Sequence, residues 1–246
     1  MDIMTDDAVL ASHLAYEAGQ LLLEHRIAHS HSLTEKELGE AGDLVANRFL
    51  CDAIRTQRPD DGLLSEEEKD DPARLSKSRV WIIDPVDGTR EYGEGRTDWA
   101  VHVALAIDGV PKIGAVALPG LGLVLRTDQP NALPPAPAIP RIVVSRTRPA
   151  KEALDVAEHF GAVMIPMGSA GAKAMAIVRG EAEIYLHTGG QFEWDSCAPA
   201  AVAAAHGLHI SRIDGSPMVY NQADVYMPDL LICRPEWANR VLTLLN

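Results

Sequence analysis

Asp84, Asp87 and Thr89 lie within six positions of one another in the run Trp81-Ile82-Ile83-Asp84-Pro85-Val86-Asp87-Gly88-Thr89. Two carboxylates and a hydroxyl this close can converge on one ligand, with the peptide carbonyl of Val86 between them. Carboxylate and carbonyl oxygens are the donors a hard cation such as Mg2+ takes. Gly88 permits a tight turn or a close backbone approach. A helical turn opening at Thr89 would point the Gly88 and Thr89 amides outward as a cradle for an anion. Pro85 cannot continue a sheet ladder and biases Asp84 towards extended backbone. The apolar run Val80–Ile83 before them reads as a buried strand, so the acids sit at a strand end.

Two known loops share these features and fail on spacing. An EF-hand calcium loop needs a carboxylate at its twelfth position, and counting from Asp84 that position is Gly95. The Asp-x-Asp-Gly-Thr nucleophile loop of haloacid-dehalogenase-type phosphatases has its aspartates two positions apart; here they are three apart, with Pro85 between. A plain Asp-Pro/Asp-Gly surface turn stays open on this segment alone, and other acids must decide. Glu66-Glu67-Glu68 follows a short strand at Leu63–Ser65. A glutamate run is ordinarily a solvated face, but this strand is one short connection from the Asp84 strand, so their ends can be neighbours. Asp195, in Trp194-Asp195-Ser196, precedes the alanine-rich helix Ala198–Ala205; a helix-capping role is available to it and does not exclude ligation.

The elements that must position these groups are legible along the chain. Thr5 with Asp6 and Asp7 marks a helix start, and Leu10, Leu14, Ala18, Leu21 and Leu22 carry one face to about His25. His25, His29 and His31 read as a solvated helix end. Leu38–Asp43 reads as a glycine-punctuated loop with Asp43 as N-cap of a helix whose apolar face is Ala46, Phe49, Leu50, Ala53 and Ile54. Ala100–Ile107 and Ile113–Leu118 read as strands joined at Asp108-Gly109, with another strand at Leu121–Arg126; His102 is expected as a hydrogen-bonded core histidine. The Pro- and Ala-rich stretch 127–140 reads as a linker, dividing the chain into 1–127, with most of the acids, and 141–246. In the second half, strands are expected at Ile142–Ser145, Val163–Ile165, Ile184–His187, Leu208–Ser211 and Leu230–Cys233. Helices are expected at Lys151–Phe160, after the turn Gly168–Lys173 through Val178, and at Trp237–Leu245. Gly189-Gly190 reads as a loop.

With 246 residues, 47% apolar and 23% charged, the chain is long enough for a large core and ordinary in composition. A net charge of −13 argues against nucleic acid and an anionic membrane surface as partners. It leaves phosphate substrates open, because bound cations reverse the local sign. Three scattered cysteines, an acidic start without a signal-peptide pattern and no bilayer-length apolar run predict a cytoplasmic enzyme.

Three blocks, Leu64-Ser65-Glu66-Glu67, Trp81–Thr89 and Trp194-Asp195-Ser196-Cys197-Ala198, resemble in order the signatures of the lithium-sensitive, magnesium-dependent phosphatases related to inositol monophosphatase. Ala41-Gly42-Asp43, Val144-Ser145-Arg146 and Ala170-Gly171-Ala172-Lys173 are similar to loops of the 3′-phosphoadenosine 5′-phosphate phosphatases of the CysQ type. The similarity runs from about Leu14 to the C-terminus. It implies an α+β fold, a layered αβαβα sandwich with the metal site between the two halves.

It implies two or three Mg2+ ions on Glu66, Asp84, Asp87, Asp195 and the Val86 carbonyl, with Asp84 bridging two of them and Glu67 holding a water. Thr89, hydrogen-bonded to Asp43, would orient and help deprotonate the attacking water, making Asp43, Glu67 and Thr89 the catalytic group. Glu66, Val86, Asp87, Gly88, Thr89, Ser169, Lys173, His187 and Asp195 would meet the substrate, a small phosphate ester. The implied reaction releases the 3′-phosphate of 3′-phosphoadenosine 5′-phosphate to give AMP; the alternative is inositol 1-phosphate or fructose 1,6-bisphosphate. Lithium inhibition and a homodimer are expected on the same ground. His187 stands where many nucleotide-specific relatives carry Arg, Gly190 replaces a common proline, and Tyr92 replaces Phe. A catalytically silent phosphate sensor on the same scaffold would not need the full acid set.

Overall fold

Both faces of the central strand are buried. Val80 and Ile82 look into one apolar cluster, Trp81 and Ile83 into another, and a strand covered on both sides reads as an unbroken apolar run. The computed structural model describes residues 3–246, with side chains from Asp6 onward. Its first half places α1 (Ile3–His29) and α2 (Glu35–Gln57) over a sheet of β1 (Gly62–Ser65), β2 (Arg79–Asp87), β3 (Ala100–Ile107), β4 (Val110–Leu118) and β5 (Leu123–Arg126), with the short α3 (Thr89–Gly93) after β2. These strands are neighbours in chain order; β1 and β2 are parallel and the other pairs antiparallel. Asp108 and Gly109 both take positive φ, 51° and 76°, as a two-residue hairpin turn requires.

Residues 127–140 contain no helix or strand and lead to β6 (Arg141–Ser145). There follow α4 (Lys151–Phe160), β7 (Val163–Met167), α5 (Ala170–Val178), β8 (Ile184–Phe192), α6 (Glu193–Ala205), β9 (His209–Ser211), β10 (Tyr226–Cys233) and α7 (Pro235–Leu245). The second sheet has the order β7-β6-β8-β10-β9. Helices α5 and α6 lie between the sheets: their Ala174, Met175, Cys197 and Val202 share a cluster with Val80 and Val116 of the first sheet and Val143 and Tyr185 of the second. Ile142, Ile184 and Leu231 face the other way, onto α4 and α7. The layers are therefore αβαβα. Because α6 packs on β3 and β4, a residue far along the chain reaches the end of β2.

The structure corrects three expectations. Residues 38–43 are not a loop and Asp43 is not an N-cap. Helix α2 starts at Glu35 under Thr34, whose hydroxyl accepts the Glu37 amide (3.3 Å) while the Glu37 carboxylate accepts the Thr34 amide (2.9 Å), a reciprocal capping box. Its internal glycines cost helix propensity, roughly 1 kcal/mol each against alanine, but they let α3 approach. A Cβ on Gly39 would lie 2.7 Å from Thr89 Cγ2, and one on Gly42 would lie 2.7 Å from Tyr92 Cε1. Second, β8 does not stop at His187. It continues through Gly189 and Gly190, both at positive φ, against a register shift in β10 between Met227 and Asp229. Third, α1 begins at Ile3, before Thr5; the Thr5 side chain expected to cap it lies outside the described residues.

Candidate metal and phosphate site

Ser65 and Ile83 are register partners in the parallel pair β1–β2, so the next residues, Glu66 just past the end of β1 and Asp84 still within β2, lie side by side. Asp84 and Asp87 are an odd number of residues apart, and a regular strand would send them to opposite faces. Pro85 falls where the pairing of β2 with β3 slips, between Asp84 and Asp87, and such a bulge re-aims a side chain. Asp195 arrives on the third residue of α6, where its carboxylate accepts the Phe192 amide at 2.6 Å; it satisfies the helix start from inside rather than as the N-cap. Oxygens of Asp84, Asp87 and Asp195 come within 4.8 Å of one another. Asp84 is 1% exposed and its Oδ1 is buried without a hydrogen-bond partner. An all-oxygen acidic set with an orphaned acceptor fits a hard divalent cation.

Gly88 takes φ 89° and opens α3 at Thr89. The Thr89 hydroxyl donates to the Val86 carbonyl at 3.2 Å. Asp43, inside α2 and 5% exposed, has its Oδ1 unpartnered. Burial, then the charge of Glu67, pushes the Asp43 carboxyl up to about 8. Glu66 belongs to an exposed stretch, yet its carboxyl is set among the other acids: desolvation and the neighbouring Glu67 and Asp87 push it up to about 7. Asp195 is raised to about 7 by burial and Asp87. Asp84 is raised well above the ordinary range by burial, then by Glu66, Asp87 and Asp195.

Asp87 moves the other way. Burial would raise it, but His102, Lys173 and the Gly171 amide outweigh that and hold it below the usual value. One oxygen of Asp87 accepts the Ala170 amide (3.1 Å), the other the Gly171 amide (2.5 Å) and faces His102 Nε2 at 3.2 Å. The first-half acid thus holds the N-terminus of a second-half helix.

These shifts set a pH dependence. Asp43, Glu66, Asp84 and Asp195 have folded-state values above the ordinary carboxylate range of about 4, so the stability they allow is complete below that range. It is lost as pH rises towards 7–8. The chelated protein is therefore expected to melt on the order of 5–10 °C lower at pH 8 than at pH 5, with added Mg2+ closing most of the gap. Thermal melts across pH with EDTA or Mg2+ test this; a chelated protein that is most stable at pH 8 would contradict it.

The remaining expected residues sit around this centre. Glu67 is exposed, whereas Glu68 points away to form an ion pair with Arg55 of α2. Glu68→Gln is accordingly expected to leave kcat/KM within about twofold and cost at most about 1 kcal/mol of stability; steady-state kinetics with a thermal melt will show it. Ser169 caps α5 through the Ala172 amide (3.0 Å) and lies beside Gly88. Lys173 is 4% exposed, and its ammonium donates to the Gly168 and Ser169 carbonyls (2.5 and 2.7 Å), so it pins its own loop. His187 Nε2 donates to Gly189 O (2.8 Å), and burial, assisted by Lys173 and Arg148, lowers its pKa. Being neutral, it leaves Arg148 and Lys151 to supply positive charge to an open cavity of about 550 Å3 that it shares with them, Gly189 and Gly190.

The model of the inositol monophosphatase family matches residues 4–245. The chain belongs to the inositol monophosphatase family. It is 48% identical, over 98% of its length and 93% of the relative's, to a 3′-phosphoadenosine 5′-phosphate phosphatase of Mycobacterium leprae. A Mycobacterium bovis enzyme of the same name is 50% identical over 90% of this chain and 86% of its own. The 3′(2′),5′-bisphosphate nucleotidase CysQ of Escherichia coli is 27% identical over 76% and 81%. Among solved structures, CysQ from Bacteroides thetaiotaomicron superposes with a TM-score of 0.77 at 24% identity, covering 93% of this chain and 97% of that one. As a member of this family the chain is a metal-dependent phosphatase.

Within the family fold, one residue of the site escaped the sequence reading in its role. His102 is fully buried, as expected of a core histidine, but it bridges two ligand-bearing elements: Nδ1 donates to the Trp194 carbonyl (3.0 Å) and Nε2 faces Asp87. The available signal was a polar residue on the Ala100–Ala104 face of β3, the face turned towards α5 and α6. Arg146, which pairs with Glu91 of α3 and with Glu94 just after that helix (2.7 and 2.6 Å), and Asp98, which accepts the Gly168 amide (2.6 Å), similarly clamp the two halves beside the site. No helix among the described residues is long and apolar enough to cross a membrane.

Proposed function

We propose that this chain releases the 3′-phosphate of 3′-phosphoadenosine 5′-phosphate, giving AMP and phosphate, and that its metal is Mg2+. The near full-length match to two enzymes so named carries the substrate; the acid cluster carries the chemistry. In this reading residues 1–127 supply Glu66, Asp84, Asp87 and the Val86 carbonyl, and residues 141–246 complete the site with Asp195. Two or three Mg2+ ions, when bound, would supply Lewis acidity for the water and the departing oxygen. The proton lost by the attacking water would pass through the Thr89 hydroxyl to Asp43, once that hydroxyl turns from the Val86 carbonyl to which it donates, while Glu67 fixes a water at the rim. The Gly88 and Thr89 amides hold the transferred phosphate. Lys173 shapes the Gly168–Ser169 loop against that cradle, and Arg148 serves the second phosphate, which neutral His187 cannot. A cytoplasmic homodimer completes the proposal.

The test is phosphate release over a substrate panel with Mg2+ and with EDTA. The nucleotide should exceed inositol 1-phosphate and fructose 1,6-bisphosphate by tenfold or more in kcat/KM, and EDTA should stop all three. The departures at His187 and Gly190 favour the inositol or fructose reading, and a higher kcat/KM for either would install it.

A further inference from the structure

Aromatic residues make up 5% of this chain, yet two of its exposed rings sit together beside the acid cluster. Phe192 is 38% exposed and Tyr226 42%. Phe192 stacks on Trp194 with ring centroids 5.0 Å apart and planes 16° from parallel, and meets Tyr226 edge-on at 5.9 Å. This arrangement is an offset stack with a T-shaped flank. Phe192 ends β8 and precedes α6, three residues before Asp195. Tyr226, at the start of β10, accepts the Gly190 amide on its hydroxyl at 3.1 Å, and Gly190 lines the cavity that holds Arg148. The shelf therefore adjoins the acid cluster through Asp195 and the cation-lined cavity through Gly190.

We propose that Phe192, backed by Trp194 and flanked by Tyr226, is the stacking platform for the base of the nucleotide substrate. This rests on the nucleotide reading above and adds to it the group that selects a nucleotide over a bare sugar phosphate. A ring held parallel to a second ring presents its outer face rigidly, with little side-chain entropy left to lose. Stacking uses a π-face that every base has, so the shelf discriminates base from no base strongly and adenine from guanine weakly.

The test compares 3′-phosphoadenosine 5′-phosphate with ribose 3,5-bisphosphate, which keeps both phosphates and lacks the base. Phe192→Ala leaves the backbone amide that binds Asp195 in place. It should raise KM for the nucleotide about tenfold, the loss falling on KM rather than kcat, and leave KM for the ribose compound within twofold. Phe192→Trp should restore the nucleotide KM. Equal rises for both substrates, or no rise for the nucleotide, would overturn the proposal. So would a change in sedimentation of Phe192→Ala, which would make the patch a contact between copies.

If the wild-type enzyme does not turn over the nucleotide, the functional reading fails separately, and calorimetric binding of AMP against ribose 5-phosphate decides the shelf. Tighter AMP binding that Phe192→Ala abolishes supports it; equal binding of the two by wild type overturns it.

Discussion

Asp84→Asn is expected to lower kcat/KM on the order of a thousandfold, about 4 kcal/mol of transition-state stabilisation, while making the metal-free protein more stable at pH 8. Asp84 is the most enclosed of the three clustered acids and its Oδ1 is without a partner. Burial, then the charges of Glu66, Asp87 and Asp195, hold its folded-state value well above the ordinary one. A group raised in this way contributes stability below its unfolded value and loses it as pH rises towards the folded value. Asparagine has nearly the same shape and no charge, so at pH 5 the metal-free variant should match wild type and at pH 8 it should exceed it. With Mg2+ present the order reverses, because the variant lacks the charge that binds the ion. Kinetics and melts at the two pH values, with and without chelator, check both signs. An active variant, or one destabilised at every pH, would remove Asp84 from the centre of the site.

Gly171→Ala should cost about 1–3 kcal/mol of stability from overpacking and roughly a hundredfold in kcat/KM from displacing a ligand-bearing group. The new Cβ would lie 2.0 Å from His102 Nε2 and 2.9 Å from Asp87 Oδ2. Neither can step aside. His102 is fully buried and tied to the Trp194 carbonyl, and Asp87 is bonded to the Ala170 and Gly171 amides. The strain falls on the contact that joins the two halves, so Asp87 should move relative to Asp195. Mg2+-dependent activity and a thermal melt measure the two parts, and a variant within threefold of wild type would show that the Asp87–α5 contact does not position the acids.

The sequence by itself determined the reactive run and its surroundings. Asp84 to Thr89 are local: two acids, a proline, a glycine and a hydroxyl within six residues announce a turn and a ligand cluster, but the strand expected to end at Ile83 runs on to Asp87 through a bulge that its pairing with β3 decides. Individual strands and helices were legible from their apolar runs and small-residue faces, whereas their stacking into five layers was implied by the resemblance and not by those patterns. Tertiary structure decided what depends on neighbours distant in sequence. Gly39 and Gly42 look like loop punctuation but are close-packing sites for α3, which moves Asp43 into a helix interior. Lys173 and His187 look like cations for a substrate. Burial turns one onto its own loop carbonyls and leaves the other neutral. His102 shows only as a polar residue on an apolar strand face and Gly171 as one of several small residues in its turn, since each acts only where β3, α5 and α6 meet Asp87. A carboxylate's spacing along the chain can be read directly; which groups desolvate it, pair with it or crowd it is settled only when the layers close.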